Sequence, residues 1–501
     1  MEIPGQLLEK RNRMNDEISN REIKIVSAVL LVLVVITLLT SYYGSADVGD
    51  YADTAKFFAG DYKADIRSSH SYLLGLIHAP FLNIFGSFIV FKISSLIFLF
   101  ILIYSVYIIS GKSRKALWMI VLSPVIWYMA PWINPIQIAS IFLLWSYYFI
   151  KRYDENENIK NLIYSALLIG LGWAFWDTIL YFGVILGISF LYNKKIIHGI
   201  YFSFFIIVGL APRLILDQIL FNFAFYTSIK TFISGFVNIF GGIYGSEYGH
   251  TPKTFGILLP FLLAIPILFW NIYKIRNFRE NKKEILFFSL SILLLLMNPQ
   301  IRYLLALVPI MILYISKNID EKKFKLQIIY SIIIILLFVF PYIIQISYGL
   351  NNKFYGTEVT GIFIDGVKID KENQKELLFQ DLKNIEKEYE NKTFVVGNHP
   401  DNYQVLAHFY SGEKIKKFVS IQDYELWKKN ESIIYKKRFE PVLNIDERRQ
   451  IWIEGGIKKN KNDKTDYEDI KYGLGIGEPI KLDGFSIVKK YGVLYLSYRQ
   501  E

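Results

Sequence analysis

The chain has 501 residues, of which 53% are hydrophobic, and its formal net charge is +11. It contains no cysteine, which excludes disulfides and thiolate metal sites. The apolar residues come in blocks of about 18 or more with almost no charge, as at 25–43, 88–109 and 326–346. A soluble chain would spread such residues at helical or strand periods. The composition therefore predicts an α-helical polytopic membrane protein.

We predict about eleven membrane spans. They lie at 25–43, 87–110, 117–133, 136–150, 162–176, 178–192, 197–212, 255–273, 285–297, 303–316 and 326–346. With the N-terminus in the cytoplasm, the inner loops hold roughly three times as many Lys and Arg as the outer loops. This asymmetry predicts a plasma-membrane protein with its N-terminus inside and its C-terminus outside. It also explains the net charge without a nucleic-acid partner.

The first outer loop, 44–86, begins with an acidic stretch that contains Asp47 and Asp50. Acidic residues at a membrane boundary tend to carry function. The pattern that follows predicts an interfacial helix with an apolar face made of Tyr51, Ala52, Ala55, Phe58 and Ala59. Asp47 and Asp50 precede or begin this helix, where its dipole stabilises anions. A simple N-cap role for one of them stays open.

Other polar residues of the predicted outer loops could contact a substrate. Asp177 follows two tryptophans in a short turn, which suits either sugar stacking or an aromatic interface belt. Arg213 and Asp217 share a helical face and could form a phosphate site or a mutual ion pair. Arg302 could bind a lipid phosphate or extend to lipid headgroups. The remaining candidates are Arg67, His70, Glu247, His250 and Lys253.

The last part of the chain, 347–501, is rich in charged residues and contains no stretch that could span a bilayer. The domains predicted are therefore 1–346 in the membrane and 347–501 outside it. Within 347–501 we predict helices at 375–389, 403–410 and 424–429, strands at 393–396 and 417–421, and a hairpin of 486–489 with 493–498. The alternation predicts a small α/β domain.

Two stretches resemble a known family. The pattern Asp-x-x-Asp-Tyr-x-x-x-Ala-x-x-x-x-Gly at 47–60, followed by His-Ala-Pro-Phe-Leu at 78–82, resembles the polyprenyl-phosphate-sugar-dependent glycosyltransferases of the GT-C superfamily. This superfamily includes the protein O-mannosyltransferases and the aminoarabinose transferases. The stretch Arg302-Tyr303-Leu-Leu-Ala-Leu-Val-Pro309 is similar to one that opens a late span in these enzymes, with Ala306 in place of a proline.

The resemblance implies transfer of a sugar from a polyprenyl (dolichyl) phosphate to a glycan, lipid or protein acceptor on the outer face. It implies Asp47 as general base of an inverting reaction, with Asp50 as the alternative because Val-Gly separates a pair that is adjacent in many members. Arg302, with Arg213 or Lys253, would hold the donor phosphate. Substrate contacts would come from Tyr51, Arg67, His70, Asp177, Glu247, His250 and Tyr303. No metal site is predicted, and use of Mg²⁺ or Mn²⁺ stays open.

Two other classes are compatible with many spans and positive outer residues. A transporter or flippase of lipid-linked sugars would need no base, but it usually shows internal repeats, which we do not find. A surface polysaccharide polymerase or ligase generally has its large loop between late spans. The early acidic loop and the terminal outer region favour the glycosyltransferase.

Overall fold

The computed structural model describes residues 18–39, 71–85, 89–192, 196–221, 223–229, 282–297, 301–340, 418–429, 468–476, 479–492 and 494–500. Shorter described pieces are 51, 54–55, 58–59, 194, 231, 363–364, 367–368, 384–385, 387–389, 392–396, 442–445 and 451–454. The predicted span at 255–273 and the predicted helix at 403–410 lie outside these residues.

Helices dominate the described part of residues 18–340. They are α1 Asn20–Leu39, α2 Leu73–Phe85, α3 Ile89–Ile109, α4 Arg114–Val121, α5 Pro124–Met129, α6 Ile136–Asn156, α7 Ile159–Phe175, α8 Thr178–Leu191, α9 Ile196–Phe221, α10 Lys282–Met297, α11 Ile301–Asn318 and α12 Glu321–Ile334. A π-helical turn, Ile335–Val339, continues α12. Among the described helices, Asn20–Leu39, Ile89–Ile109 and Ile196–Leu220 are long and apolar enough to cross a membrane.

Most of the predicted spans coincide with a helix, but the prediction for 117–133 is wrong in detail. This segment forms α4 and α5, which are separated at Leu122 and Ser123. Pro124 begins the second helix, because proline has no N–H to continue the first. The indole of Trp127 donates to the Val121 carbonyl, which would otherwise lack a helical partner. The total of eleven spans stays a prediction.

Contacts between helix ends define two ends of the bundle. At the first end, called the Asp177 end, the Ser95 hydroxyl donates to the Ala130 and Trp132 carbonyls, and Gly172 lies against Ala139. The second, called the Lys151 end, holds ion pairs between separate helices. These pairs are Arg114 with Glu22 and Glu321, Lys151 with Glu284, and Lys283 with Asp154.

Helices α7 and α9 touch without intervening side chains. A Cβ added at Gly170 would lie 2.1 Å from the Ile206 carbonyl oxygen, and one at Gly209 would lie 2.2 Å from that of Leu167. Small residues allow this close backbone approach, as in many membrane helix pairs. The two helices run in the same direction here, since Trp173 and Arg213, about one turn further along each helix, also meet. The close approach at Gly170 and Gly209 therefore fixes the position of Trp173 relative to Arg213.

A five-stranded sheet occupies the described part of the C-terminal region. Its strands are β3 Phe394–Val396, β4 Phe418–Ser420, β7 Tyr472–Ile476, β8 Phe485–Tyr491 and β9 Leu494–Arg499, in the order β4-β3-β7-β9-β8. Strand β3 is parallel to β4 and β7, and β9 is antiparallel to β7 and β8. The predicted strands at 393–396 and 417–421, and the terminal hairpin, are confirmed.

A helix, α13 Ile421–Lys428, follows β4 and contains most of the predicted helix at 424–429. Two small hairpins pair β1 Phe363–Ile364 with β2 Val367–Lys368, and β5 Val442–Ile445 with β6 Ile451–Glu454. Parts of the predicted helix 375–389 are helical, at 384–385 and 387–388. Mixed strand and helix are therefore present, while the boundary of an independent domain at 347 stays a prediction.

Candidate functional site

The predicted site residues divide into two groups. Asp47, Asp50, Arg67, His70, Glu247, His250 and Lys253 lie outside the described residues. Tyr51, Asp177, Arg213, Arg302 and Tyr303 are described, and all except Tyr51 lie at the Asp177 end through the contacts given below.

Arg213 lies on α9, about one turn beyond the Gly209 contact, and its side chain is 1% exposed. Its Nη1 donates to Asp177 Oδ1 at 2.7 Å and to the Trp173 carbonyl at 3.2 Å. Its Nε donates to Thr227 Oγ1 at 2.8 Å. The buried guanidinium is thus held by α7, by the turn after α7 and by the segment after α9.

Thr227 joins Arg213 to Asp217. Its hydroxyl accepts from Arg213 Nε and donates to Asp217 Oδ2 at 2.6 Å. Its backbone N–H also donates to Asp217 Oδ2, at 2.9 Å. The ion pair of Arg213 is therefore with Asp177, and its link to Asp217 runs through the threonine hydroxyl. The predicted pairing of neighbours on one helix is replaced by this three-part contact.

The second terminal nitrogen of the guanidinium has no partner among the described residues. Arg213 Nη2 is buried and finds no hydrogen-bond acceptor in the described part of the chain. A buried donor without an acceptor costs about 1–3 kcal/mol. Such a group in a native protein calls for a water, an ion or a ligand.

Asp177 lies between this cluster and a pair of aromatic rings. Trp173 Nε1 donates to Asp177 Oδ1 at 3.2 Å. Trp176, which precedes Asp177, packs against Tyr303 with 5.1 Å between ring centroids. The Arg302 guanidinium lies 5.7 Å from the centre of the Tyr303 ring. The turn between α7 and α8 is thereby brought to the start of α11, as sequence spacing alone could not show.

The predicted interfacial helix is described at only five positions, including Tyr51 and Ala55. Both are buried in the protein core, at 3% and 0% exposure. A Cβ added to Gly75 would lie 2.5 Å from the side chain of Thr54, so this segment packs closely on the start of α2. At these positions the predicted apolar face packs against protein, because α2 provides the surface that covers it.

Lys92 and His78 were not among the predicted site residues. Lys92 is 1% exposed, and its Nζ donates to the Thr37 carbonyl in the last turn of α1 at 3.0 Å. His78 stacks on Phe91 at 4.4 Å between centroids and hydrogen-bonds the Leu74 carbonyl and the Ser94 hydroxyl. A lone lysine in the apolar block 88–109 was the available signal, since ionisable groups within spans are usually functional.

A metal centre finds no support in the described residues, where no group of three or more His, Asp or Glu could hold a metal ion. Use of Mg²⁺ or Mn²⁺ stays a prediction, because Asp47 and Asp50 lie outside the described residues. Among the described residues, the charged groups at the Asp177 end are the Arg213 guanidinium with the carboxylates of Asp177 and Asp217, the Arg302 guanidinium beside Tyr303, and the buried ammonium of Lys92.

No protein-family model matches the chain, and no curated protein matches it. Its fold is nevertheless similar to solved structures. The crystal structure of ArnT from Cupriavidus metallidurans bound to undecaprenyl phosphate matches with a TM-score of 0.55 and 10% identity, over 96% of this chain and 98% of that chain. The apo structure of the same protein matches with a TM-score of 0.53 and 12% identity, over 95% and 97%.

The chain has the ArnT fold. The predicted mostly helical architecture of an integral membrane protein is therefore confirmed at the level of fold, while membership of the GT-C superfamily stays a prediction. The match covers nearly the whole length of both chains, so it includes the C-terminal region as well as the helices. The ArnT fold does not test the resemblance to protein O-mannosyltransferases, which stays a prediction.

Proposed function

We propose that this protein is a membrane glycosyltransferase that moves a sugar from a polyprenyl phosphate to an acceptor at the outer face. The observation that carries the proposal is the cluster at the Asp177 end. There, buried charged groups and an aromatic pair lie at one end of an apolar bundle with the ArnT fold. A donor that is itself a lipid requires a site at such a boundary.

The distribution of basic residues between the two ends of the bundle supports an outer site. At the Lys151 end, basic residues of several helices and loops gather, among them Arg21, Lys24, Arg114, Lys115, Lys151, Arg152, Lys194 and Lys283. Loops rich in Lys and Arg are retained in the cytoplasm. The Asp177 end would then face outward, with the N-terminus inside and the C-terminal region outside.

The proposed reaction consists of three events that the protein must promote. The acceptor hydroxyl oxygen forms a bond with the anomeric carbon, the bond from that carbon to the phosphate oxygen breaks, and the acceptor proton passes to a base. Arg302, with Lys253 or Arg213, would stabilise the charge that develops on the leaving phosphate. A single displacement of this kind inverts the anomeric centre.

We propose Asp47 as the base, with Asp50 as the alternative. Both belong to the segment that follows α1, and the bond from Lys92 to the Thr37 carbonyl holds the last turn of α1 just before this segment begins. A cation at a helix C-terminus also interacts favourably with the helix dipole. Lys92 would thus help to place the acidic residues near the Asp177 end.

Asp177 and Tyr303, which lie next to Trp176, are the residues of the Asp177 end that we propose to contact the sugar. Aromatic rings beside a carboxylate offer a face for stacking and acceptors for hydroxyl groups. Tyr51, Arg67, His70, Glu247 and His250 are proposed as further substrate contacts. The acceptor is proposed as a glycan, a lipid or a protein.

The test is sugar transfer in detergent from radiolabelled polyprenyl-phosphate monosaccharides by purified wild type, Asp47→Asn and Asp50→Asn. We expect transfer by the wild type and a loss of about 100-fold or more in one variant. Glu155→Gln, at the Lys151 end, is the matched control and should keep full activity. If both Asp variants transfer at the wild-type rate, neither is the base. If the wild type instead moves labelled lipid across proteoliposomes without transfer, the protein is a transporter.

A further inference from the structure

The guanidinium of Arg213 has one unused edge. Arginine carries five N–H groups, and here the bonds to Thr227, Asp177 and the Trp173 carbonyl engage Nε and Nη1. Nη2 carries the remaining two N–H groups, and it is buried without an acceptor in the described part of the chain. This edge therefore requires an oxygen that the described residues do not supply.

The charge around Arg213 argues against a phosphate at this edge. Asp177 pairs with the guanidinium directly, and Asp217 is joined to it through Thr227. One guanidinium with these two carboxylates carries no net positive charge, whether or not Asp217 holds a proton. An anion brought to Nη2 would meet both carboxylates at short range, where like charges repel strongly. A neutral oxygen avoids this repulsion.

A sugar hydroxyl fits the groups present. It can accept from a guanidinium and donate to a carboxylate, and Arg213 and Asp177 offer this pair side by side, with 2.7 Å between Nη1 and Oδ1. The Asp177 side chain is 17% exposed, so its carboxylate is not closed off by protein. Tyr303, half-buried and packed on Trp176 next to Asp177, supplies the apolar ring surface that sugars stack upon.

We propose that Arg213 and Asp177 form a subsite that recognises a hydroxyl group of the donor sugar, with Nη2 donating to that hydroxyl and the Asp177 carboxylate accepting from it. The inference rests on the proposed glycosyltransferase function and gives Arg213 a different role there. Phosphate binding is left to Arg302 and Lys253. Thr227 and Asp217 act as positioning residues that hold the guanidinium in place.

The experiment uses Arg213→Lys in the full chain. Lysine keeps the positive charge and a donor for Asp177, but it lacks the second edge of the guanidinium. Two quantities are measured: the ratio of kcat/KM for the accepted donor to that for each of its monodeoxy analogues, and the Kd for polyprenyl phosphate alone. Arg302→Gln is the comparison variant for phosphate binding, and the thermal unfolding midpoint in detergent checks folding.

We expect the wild type to reject one monodeoxy donor by at least about 100-fold, because a site built to bond a hydroxyl is left unpaired without it. In Arg213→Lys this ratio should fall below about 10-fold, while the Kd for polyprenyl phosphate stays within about twofold. Arg302→Gln should raise that Kd by about tenfold or more and keep the discrimination. Asp177→Asn should lose the same discrimination, which covers the case in which Arg213→Lys does not fold.

Several results would overturn the subsite. A raised Kd for polyprenyl phosphate with discrimination intact in Arg213→Lys makes Arg213 a phosphate ligand. If neither the discrimination nor the Kd changes in Arg213→Lys, Nη2 binds only a buried water and there is no subsite. A wild type that accepts every monodeoxy donor equally has no such subsite. Wild-type protein that transfers no sugar from any donor overturns the proposed function, and the subsite with it.

Discussion

The hydroxyl of Thr227 serves two charged groups at once. It accepts from Arg213 Nε and donates to Asp217, and all three side chains are buried. Among side chains of this size, only threonine and serine offer a strong acceptor and a strong donor on one atom. The Thr227 hydroxyl is thus one of three anchors of the guanidinium, and it links Arg213 to Asp217.

Thr227→Val removes that oxygen while keeping the shape of the side chain. We expect the protein to be destabilised by about 2 kcal/mol or more, since Arg213 Nε loses its acceptor and Asp217 loses a donor inside the protein. Denaturant unfolding in detergent measures this, and Thr227→Ser should stay close to the wild type. Thr231→Val is the control, because the Thr231 hydroxyl bonds the Thr227 carbonyl within one turn and takes no part in the Arg213 to Asp217 link. Equal stability of Thr227→Val and Thr231→Val would contradict the linking role.

Glu388 is the centre of an exposed contact in the C-terminal region. Its carboxylate accepts from Lys489 Nζ at 2.8 and 3.0 Å and from the Tyr491 hydroxyl at 2.5 Å. The Lys489 bond is the main cause that holds the pKa of Glu388 below its usual value, followed by the bond from Tyr491. Burial, aided by the bond to Glu388, raises the pKa of Tyr491 to about 12.

A depressed carboxyl pKa stabilises the folded state above the unfolded value of about 4.3, and the gain is lost as pH falls through the folded value. We therefore expect β8 and β9 to lose hydrogen-exchange protection as the pH falls below the unfolded value of about 4.3. Glu388→Gln should show a flatter dependence on pH over this range. Glu468→Gln, at an exposed turn, should follow the wild type. Parallel pH profiles of wild type and Glu388→Gln would rule out this contact as the cause.

At the scale of elements, the crossing of α7 and α9 sets the geometry of the Asp177 end. Gly170→Ala and Gly209→Ala each place a methyl group within 2.2 Å of a carbonyl oxygen on the other helix. The helices must then separate, which moves the Trp173 carbonyl away from Arg213. We expect a destabilisation of about 1–3 kcal/mol in thermal unfolding. Sugar transfer should fall as well, because the guanidinium loses one of its three anchors.

Gly199→Ala provides the matched control on the same helix. Nothing lies within 4 Å of a Cβ added there, so the substitution changes only the helix propensity. Alanine is favoured over glycine by about 1 kcal/mol in a helix. Gly199→Ala should therefore be as stable as the wild type or slightly more so. If all three variants behave alike, close packing at the crossing is not what stabilises the pair.

Elements with a strong local pattern were predictable from the sequence. The tight pair α7 and α8 was expected at 162–192, and the terminal hairpin of β8 and β9 was expected around Gly492. Strand β7 was missed because Gly473 and Gly475 weaken its strand signal. Gly473 is there for a tertiary reason, since a Cβ on it would lie 2.0 Å from the Ile480 side chain. The same kind of reason accounts for the two glycines of the α7–α9 crossing.

For the whole molecule, orientation is the property most open to direct test. The chain has no cysteine, so single cysteines can be introduced without removing any. Glu155→Cys lies exposed at the Lys151 end, and Asp483→Cys lies exposed before β8. We expect a membrane-impermeant maleimide to label Asp483→Cys in intact cells and Glu155→Cys only after permeabilisation. The reverse pattern would place the proposed site in the cytoplasm.

The sequence predicted several residues of the candidate site but not the contacts between them. Arg213, Asp177, Arg302 and Tyr303 were recognised because polar residues next to predicted spans are informative. Their contacts were not, since the bond between Arg213 and Asp177 joins residues 36 positions apart. Lys92 was not predicted as a site residue because the segment 88–109 was assigned as a membrane span from its average hydropathy.

The ion pair of Asp177 with Arg213 also has a consequence for the insertion of α9 into the membrane during synthesis. Chains emerge from the ribosome with the N-terminal part first, so the carboxylate is synthesised 36 residues before the guanidinium. An arginine that enters a membrane helix alone costs about 2.5–3.5 kcal/mol at the bilayer centre and less toward the boundary, where the Asp177 end is proposed to lie. When α9 is inserted, α7 and its following turn already exist to receive it. The spacing lets the membrane accept the arginine together with its counter-charge.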